Sequence, residues 1–222
     1  MHINLFFAHL KIAPRQLSKE LWVFPSNSSC NGGTSWWLGC DPEPVLIDCP
    51  PLSKANIEFL KKVSKDRQAR IILTSREGHG DIQELQNALG WPILIQEQEA
   101  YLLPEVLSLE TFRNEHITVS GLRVLWTPGP TPGSCVVYSP SPRNVLFCGR
   151  LLIPINSKKL GIVRNRRTFH WTRSQKSLQK LLDWIPLNAS PELASGAGLD
   201  AIAPRKTLPW ECLLQTNQMI HL

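Results

Sequence analysis

The chain has 222 residues, 42% of them hydrophobic, and a formal net charge of +6. That is enough length for one large domain or two small ones, and enough apolar material for a core that needs neither disulfides nor metal. No apolar run approaches the roughly 18 residues of a membrane-spanning helix, and the six cysteines, at 30, 40, 49, 135, 148 and 212, include no CxxC pair of the kind that builds a structural zinc module.

In chain order, residues 1–10 are apolar but lack a basic leader and a small-residue cleavage site, so they read as a first strand and not as a signal peptide. Trp36–Leu38 and residues 45–48 read as two strands of a hairpin, joined by the turn Gly39-Cys40-Asp41-Pro42-Glu43-Pro44. Ile57, Leu60 and Val63 recur at helical spacing behind Ser53, a fitting N-cap. A buried strand over 70–74 follows, then a helix over Ile82–Leu89 closed by Gly90, then a strand over 92–95. The order strand, helix, strand, helix, strand predicts an α/β layer with parallel pairing.

The second half predicts two more hairpins. Residues 117–119 and 122–126 flank a Ser120-Gly121 turn, and 134–138 and 144–147 flank a proline-rich turn. Residues 174–184 form a helix with Leu178, Leu181 and Leu182 facing inward. The pattern weakens after Pro204, and the tail 203–222 either wraps the domain or stays mobile. The cysteines read as buried free thiols in a reducing compartment, with Cys148 a reactive thiol only if Arg150 lowers its pKa.

Two segments carry more specific information. Thr127-Pro128-Gly129-Pro130-Thr131-Pro132-Gly133-Ser134 and Val145-Leu146-Phe147-Cys148-Gly149-Arg150 resemble the "TPGHTPGS … LFxGD" pair of the metallo-β-lactamase fold hydrolases. Asn31-Gly32-Gly33 with Val45-Leu46-Ile47-Asp48 is similar to that family's "N-x-Y … vLIDtG". Thr74-Ser75-Arg76-Glu77-Gly78-His79-Gly80-Asp81-Ile82 aligns without a gap to the variant "THRDDVADH" of photosynthetic organisms, matching at Thr74, Arg76 and Asp81. The segment from His170 to Leu178 looks like that subgroup's "WYSWxxQxxSLxRL", and Ser195-Gly196-Ala197-Gly198 like the closing "LPGHG".

The resemblance spans residues 22–202 and implies an α/β protein, an αββα four-layer sandwich. On this reading 1–202 is the domain and 203–222 a C-terminal tail. It also implies a remnant site at Asp48, Ser75, Glu77, His79, Asp81, Pro130, Arg150 and Ala197. Where the family carries its ligand histidines, this chain has Ser75, Ile82, Pro130 and Ala197, and Arg150 replaces the bridging aspartate. A zinc centre needs about three nitrogen, sulfur or carboxylate ligands and one open position, and a guanidinium repels a divalent cation. The expectation is therefore a protein without a cofactor, a catalytically inactive binding or scaffold protein in which Arg150 pairs with Glu77 or Asp81.

Two alternatives remain at this stage. One is a hydrolase of esters, thioesters or phosphoesters using a mononuclear zinc or iron site at Glu77, His79 and Asp81. The other is an anion pocket at Arg150 with Arg76 or His79. A basic segment, Lys158, Lys159, Arg164, Arg166, Arg167 and Arg173, reads first as a solvated loop and second as a contact for an anionic partner. A protein partner of unknown identity is expected, and nucleic acid is disfavoured because one local cluster is not a nucleic-acid-binding face. No membrane span is expected. The subgroup resemblance implies the cytoplasm or the plastid stroma.

Overall fold

The computed structural model describes residues 13–65, 67–140 and 142–213. The first strand expected over 1–10 and the tail beyond 213 lie outside these residues.

Fourteen strands are described, in three sheets, with three α-helices. The first sheet runs β1 (Arg15–Ser18), β2 (Leu21–Val23), β3 (Trp36–Leu38), β4 (Val45–Ile47), β5 (Arg70–Ile72), β6 (Ile93–Gln96), β7 (Leu109–Phe112), in spatial as in sequence order. β1 to β4 pair antiparallel, and β4 to β7 pair parallel. The second sheet orders β14 (Glu192–Ser195), β11 (Val145–Gly149), β10 (Cys135–Ser139), β9 (Arg123–Trp126), β8 (Glu115–Ile117). β12 (Ile153–Asn156) and β13 (Lys159–Gly161) form a separate hairpin.

The alternation of side chains along a strand decides the layering. Trp37, Leu46, Ile71, Ile93 and Ile95 face one way, packing with Leu60 of α1 (Lys54–Ser64) and with Ile82 and Leu85 of α2 (Ile82–Leu89). Trp36, Leu38, Val45, Ile47, Ile72 and Leu94 face the other, into a core shared with the second sheet and with Leu178 and Leu181 of α3 (Trp171–Trp184). Helices, sheet, sheet and helix make an αββα sandwich. At roughly 1.5–3 kcal/mol per buried large apolar side chain, these two cores dominate the folding free energy.

The expected hairpins, parallel layer and caps are present. Asn56 N donates to Ser53 Oγ at 3.1 Å, and Gly90 closes α2 at φ 70°. α3 begins three residues earlier than the periodicity suggests, because the His170 ring accepts from Arg173 N as an N-cap. The polar Thr172 and Arg173 in its first turn hid that start. β1, β2, β7, β12, β13 and β14 are too short or too mixed in pattern to be expected from sequence. Of the C-terminal segment, Leu208 is buried and exchanges backbone hydrogen bonds with Leu193 of β14 (2.7 and 3.1 Å).

Candidate functional site

The loops named by the sequence motifs converge at one edge of the sandwich, largely beyond the carboxyl ends of β4, β5, β11 and β14. In open α/β sheets this is where ligands are bound. Backbone bonds lace the loops together. Thr34 N donates to Gly196 O (2.8 Å), Gly196 N to Gly149 O (2.8 Å), Cys49 N to Gly78 O (2.9 Å), and Cys135 N to Thr74 O (2.8 Å).

Asp48 follows β4 in the left-handed region, φ 59°. Its carboxylate accepts from Thr74 N at 2.7 Å and from Thr74 Oγ1 at 2.6 Å, tying the end of β4 to the loop after β5. Burial pushes its pKa up to about 6, against the pull of the Thr74 bonds and of Arg150. Gly78 is required beside it, since a Cβ there would fall inside the Asp48 carboxylate.

Arg150 turns back into this cluster. Its Nη1 lies 3.1 Å from Glu77 Oε2, and its Nη2 donates to Cys30 O at 2.6 Å and to Asn31 O at 3.3 Å. Both side chains of the pair are mostly buried, 18% exposed for Arg150 and 14% for Glu77. The space bounded by Cys30, Asp48, Glu77, Gly78 and Arg150 has a volume of about 0 Å³, too little for a water molecule.

The remaining expected residues do not assemble into a ligand set. The three residues Glu77, His79 and Asp81 lie in and just after a 3-10 turn (Arg76–Gly78). Glu77 goes to Arg150, whereas His79 Nε2 is buried with no hydrogen-bond partner among the described residues. Burial, with Arg76 second, lowers the His79 pKa to about 4, so the ring is neutral. Among the described residues no three His, Cys, Asp or Glu side chains are grouped to hold a metal ion. Glu77, His79 and Asp81, the mononuclear site expected as an alternative, are not such a group.

Ser75 Oγ is buried and unpartnered among the described residues, Ile82 belongs to the helical core, and Ala197 bridges Gly33. Pro130 accepts a backbone hydrogen bond from Phe169 N (3.1 Å). None of these offers a donor set, so the zinc or iron implied by the resemblance does not fit the residues present. Cys148 is fully buried, with its thiol on Leu146 O (3.4 Å), and burial pushes its pKa up against the pull of a backbone hydrogen bond from Ala194, with no resolved effect of Arg150. It is a packing residue.

One participant gave no usable signal in the sequence. Glu99, in the 3-10 turn after β6, is buried and accepts from Arg76 N (2.5 Å) and Gly133 N (3.0 Å). It thereby ties the loop after β5 to the loop between β9 and β10. A lone acid in a run of mixed residues reads as a surface charge.

Above Arg150 and Glu77 lies a recess of about 60 Å³, walled by Pro130, Thr131, Ile153 and Val163 with Arg167 at the rim. The basic segment borders it. Lys158, Arg164, Arg166, Arg167 and Arg173 are exposed, and Lys159 is half-buried.

No family model and no curated protein matches the chain. Solved structures do. A metallo-β-lactamase from Pontibacter korlensis matches with TM-score 0.64 and 20% identity, over 84% of this chain and 91% of that one. The B3 metallo-β-lactamase BLEG-1 matches with TM-score 0.59 and 21% identity, over 75% and 87%. TTHA1623 in a di-iron-bound form matches with TM-score 0.57 and 20% identity, over 84% and 92%. At such identities the likeness is one of architecture, and it is consistent throughout: this chain is an αββα sandwich of the metallo-β-lactamase type.

Proposed function

We propose that this chain is a metal-free, catalytically inactive relative of the metallo-β-lactamase fold hydrolases, acting as a binding or scaffold protein. The observation that carries the reading is the Arg150–Glu77 pair, with Arg150 also donating to the Cys30 and Asn31 carbonyls. A guanidinium occupies the centre of the loop cluster and meets the carboxylate there. In hydrolases of this type the nucleophile is a hydroxide generated on a metal. With Ser75, Pro130 and Ala197 offering no metal-ligand side chain, the chain has nothing to generate it.

The gapless match of residues 74–82 to the variant of photosynthetic organisms supports a cyanobacterial or plastid setting. The six free thiols support a reducing compartment, the cytoplasm or the plastid stroma.

The test is metal content, measured on protein purified without added metal and again after zinc or iron supplementation and desalting. It is paired with a turnover screen over esters, thioesters and phosphoesters. The expected result is no stoichiometric metal and no turnover. Stoichiometric metal that disappears in His79→Ala, with chelator-sensitive hydrolysis, would overturn the reading.

A further inference from the structure

Charge is unevenly distributed along this chain. Residues 116–182 contain eleven lysines and arginines and not one aspartate or glutamate, whereas the whole chain is only +6, so the remainder carries −5. Some of the eleven cations are used internally. Arg143 pairs with Glu20 and Arg150 with Glu77, Lys180 Nζ donates to Trp126 O at 3.0 Å, and Arg123 lies 4.2 Å over the Trp184 ring. Among the described residues the side chains of Lys158, Lys159, Arg164, Arg166, Arg167 and Lys176 make no ion pair.

Five of these cations, Lys158, Lys159, Arg164, Arg166 and Arg167, follow one another on the β12–β13 hairpin and the loop after it, next to the recess that Arg167 lines, whereas Lys176 lines a separate hollow with Glu115 and Asp183. The loop is an ordered turn. Asn165 Oδ1 accepts from Arg167 N (2.9 Å), Thr168 Oγ1 accepts from Asn165 N (2.9 Å), and Thr168 N donates to Asn165 O (3.1 Å). Phe169 N and His170 N then fasten it to Pro130 O and Gly129 O at 3.1 and 2.9 Å. The backbone carrying Arg164, Arg166 and Arg167 is therefore fixed before any partner arrives, which reduces the ordering cost of binding.

At the foot of this turn lies the recess of about 60 Å³. Its apolar walls are Pro130, Ile153 and Val163, and the charges at its floor, Arg150 and Glu77, already neutralise each other. We propose that this face docks an acidic segment of a partner protein. The partner's carboxylates would lie on Arg164, Arg166, Arg167 and Lys158, and a short aliphatic side chain would seat in the recess. This rests on reading the chain as a binding protein. A recess of about 60 Å³ suits a short aliphatic side chain, and its compensated floor makes no demand for a phosphate. Cations around an apolar pocket match an acidic motif with an apolar anchor.

The test uses fluorescence anisotropy with the full chain and three labelled probes: a short glutamate-rich peptide with one central valine, the same peptide with glycine in place of valine, and a single-stranded uridine oligonucleotide of equal charge. The valine peptide should bind more tightly than the glycine peptide and than the oligonucleotide, and its binding should weaken steeply with salt. The combined variant R164E/R166E/R167E should weaken it about tenfold or more, with an unchanged melting temperature because all three side chains are exposed. Val163→Phe, which fills the recess, should bring the valine peptide down to the affinity of the glycine peptide and leave the latter as it was.

Peptide binding that survives the triple reversal, absence of peptide binding, or a preference for the oligonucleotide would each overturn the proposal, the last by assigning the face to nucleic acid. The metal assay reads separately. Peptide failure in protein without metal removes only this partner, and stoichiometric metal in protein that binds the peptide removes only the metal-free reading.

Discussion

Arg150 and Arg167 border the same recess and have opposite surroundings. Arg150 is mostly buried, paired with Glu77 and bonded to two carbonyls; Arg167 is exposed and makes no ion pair among the described residues. The same side chain is thus an internal strut at the floor and an available charge at the rim. A buried charge must be compensated on site. An exposed one is solvated, contributes little to folding, and stays free to meet an anion. A cation count taken from sequence merges these two roles.

The contrast is broken most sharply by Arg150→Ala. Removing the guanidinium strands the Glu77 carboxylate and the Cys30 carbonyl, and the expected loss is about 3 kcal/mol, read as a lower midpoint in urea. A loss no greater than that of Arg167→Ala would erase the distinction. The double variant Arg150→Met with Glu77→Leu should recover most of that stability, because no charge is left unpaired. Next in size is Gly78→Ala. Its new methyl collides with a carboxylate that Thr74 holds in place, for about 2 kcal/mol.

The pH response at the floor sharpens the comparison further. Folded Asp48 keeps its proton up to about pH 6, whereas the unfolded chain releases it near 3.8. Its stabilising contribution is therefore full at low pH and lost as pH rises through that window. His79 works in the opposite sense. It stays neutral in the fold down to about pH 4, while the unfolded chain takes a proton near 6.5, so stability falls as pH drops through that range. His79→Gln should raise the melting temperature at pH 5 relative to pH 7, and Asp48→Asn should lower it, each compared with wild type. Equal pH profiles for the three proteins would mean that neither group is buried as described. The smallest effect belongs to the rim, where Arg166→Ala should change stability by less than about 0.5 kcal/mol.

Much of the architecture was legible in the sequence, for identifiable reasons. Continuous apolar runs in Trp36–Leu38 and Val45–Ile47, the Ser53 cap and the Gly90 stop are local signals that tertiary packing respected. The motif turns placed Asp48, Glu77, Pro130, Arg150 and Ala197 in one loop cluster. Their detailed partners were not legible, because they depend on contacts between residues far apart in sequence. Arg150 and Glu77 are brought together only once β5 and β11 lie in facing sheets. The short edge strands and the β12–β13 hairpin were hidden for a different reason: three or four residues of mixed burial carry no period.

Glu99 leads to a separate consequence. Its one carboxylate joins Arg76 N and Gly133 N, so it spans two loops from opposite halves of the sandwich. A chelated ion commonly performs that kind of cross-linking, and its removal commonly loosens the loops it joins. Among the described residues, the Glu99 carboxylate makes this link by hydrogen bonds. If the chain is the metal-free protein proposed above, this link lets the loops keep their spacing through dialysis, chelation or metal starvation. On that reading the loop cluster is a rigid platform whose shape does not depend on metal supply, and changes can accumulate on the surface around it.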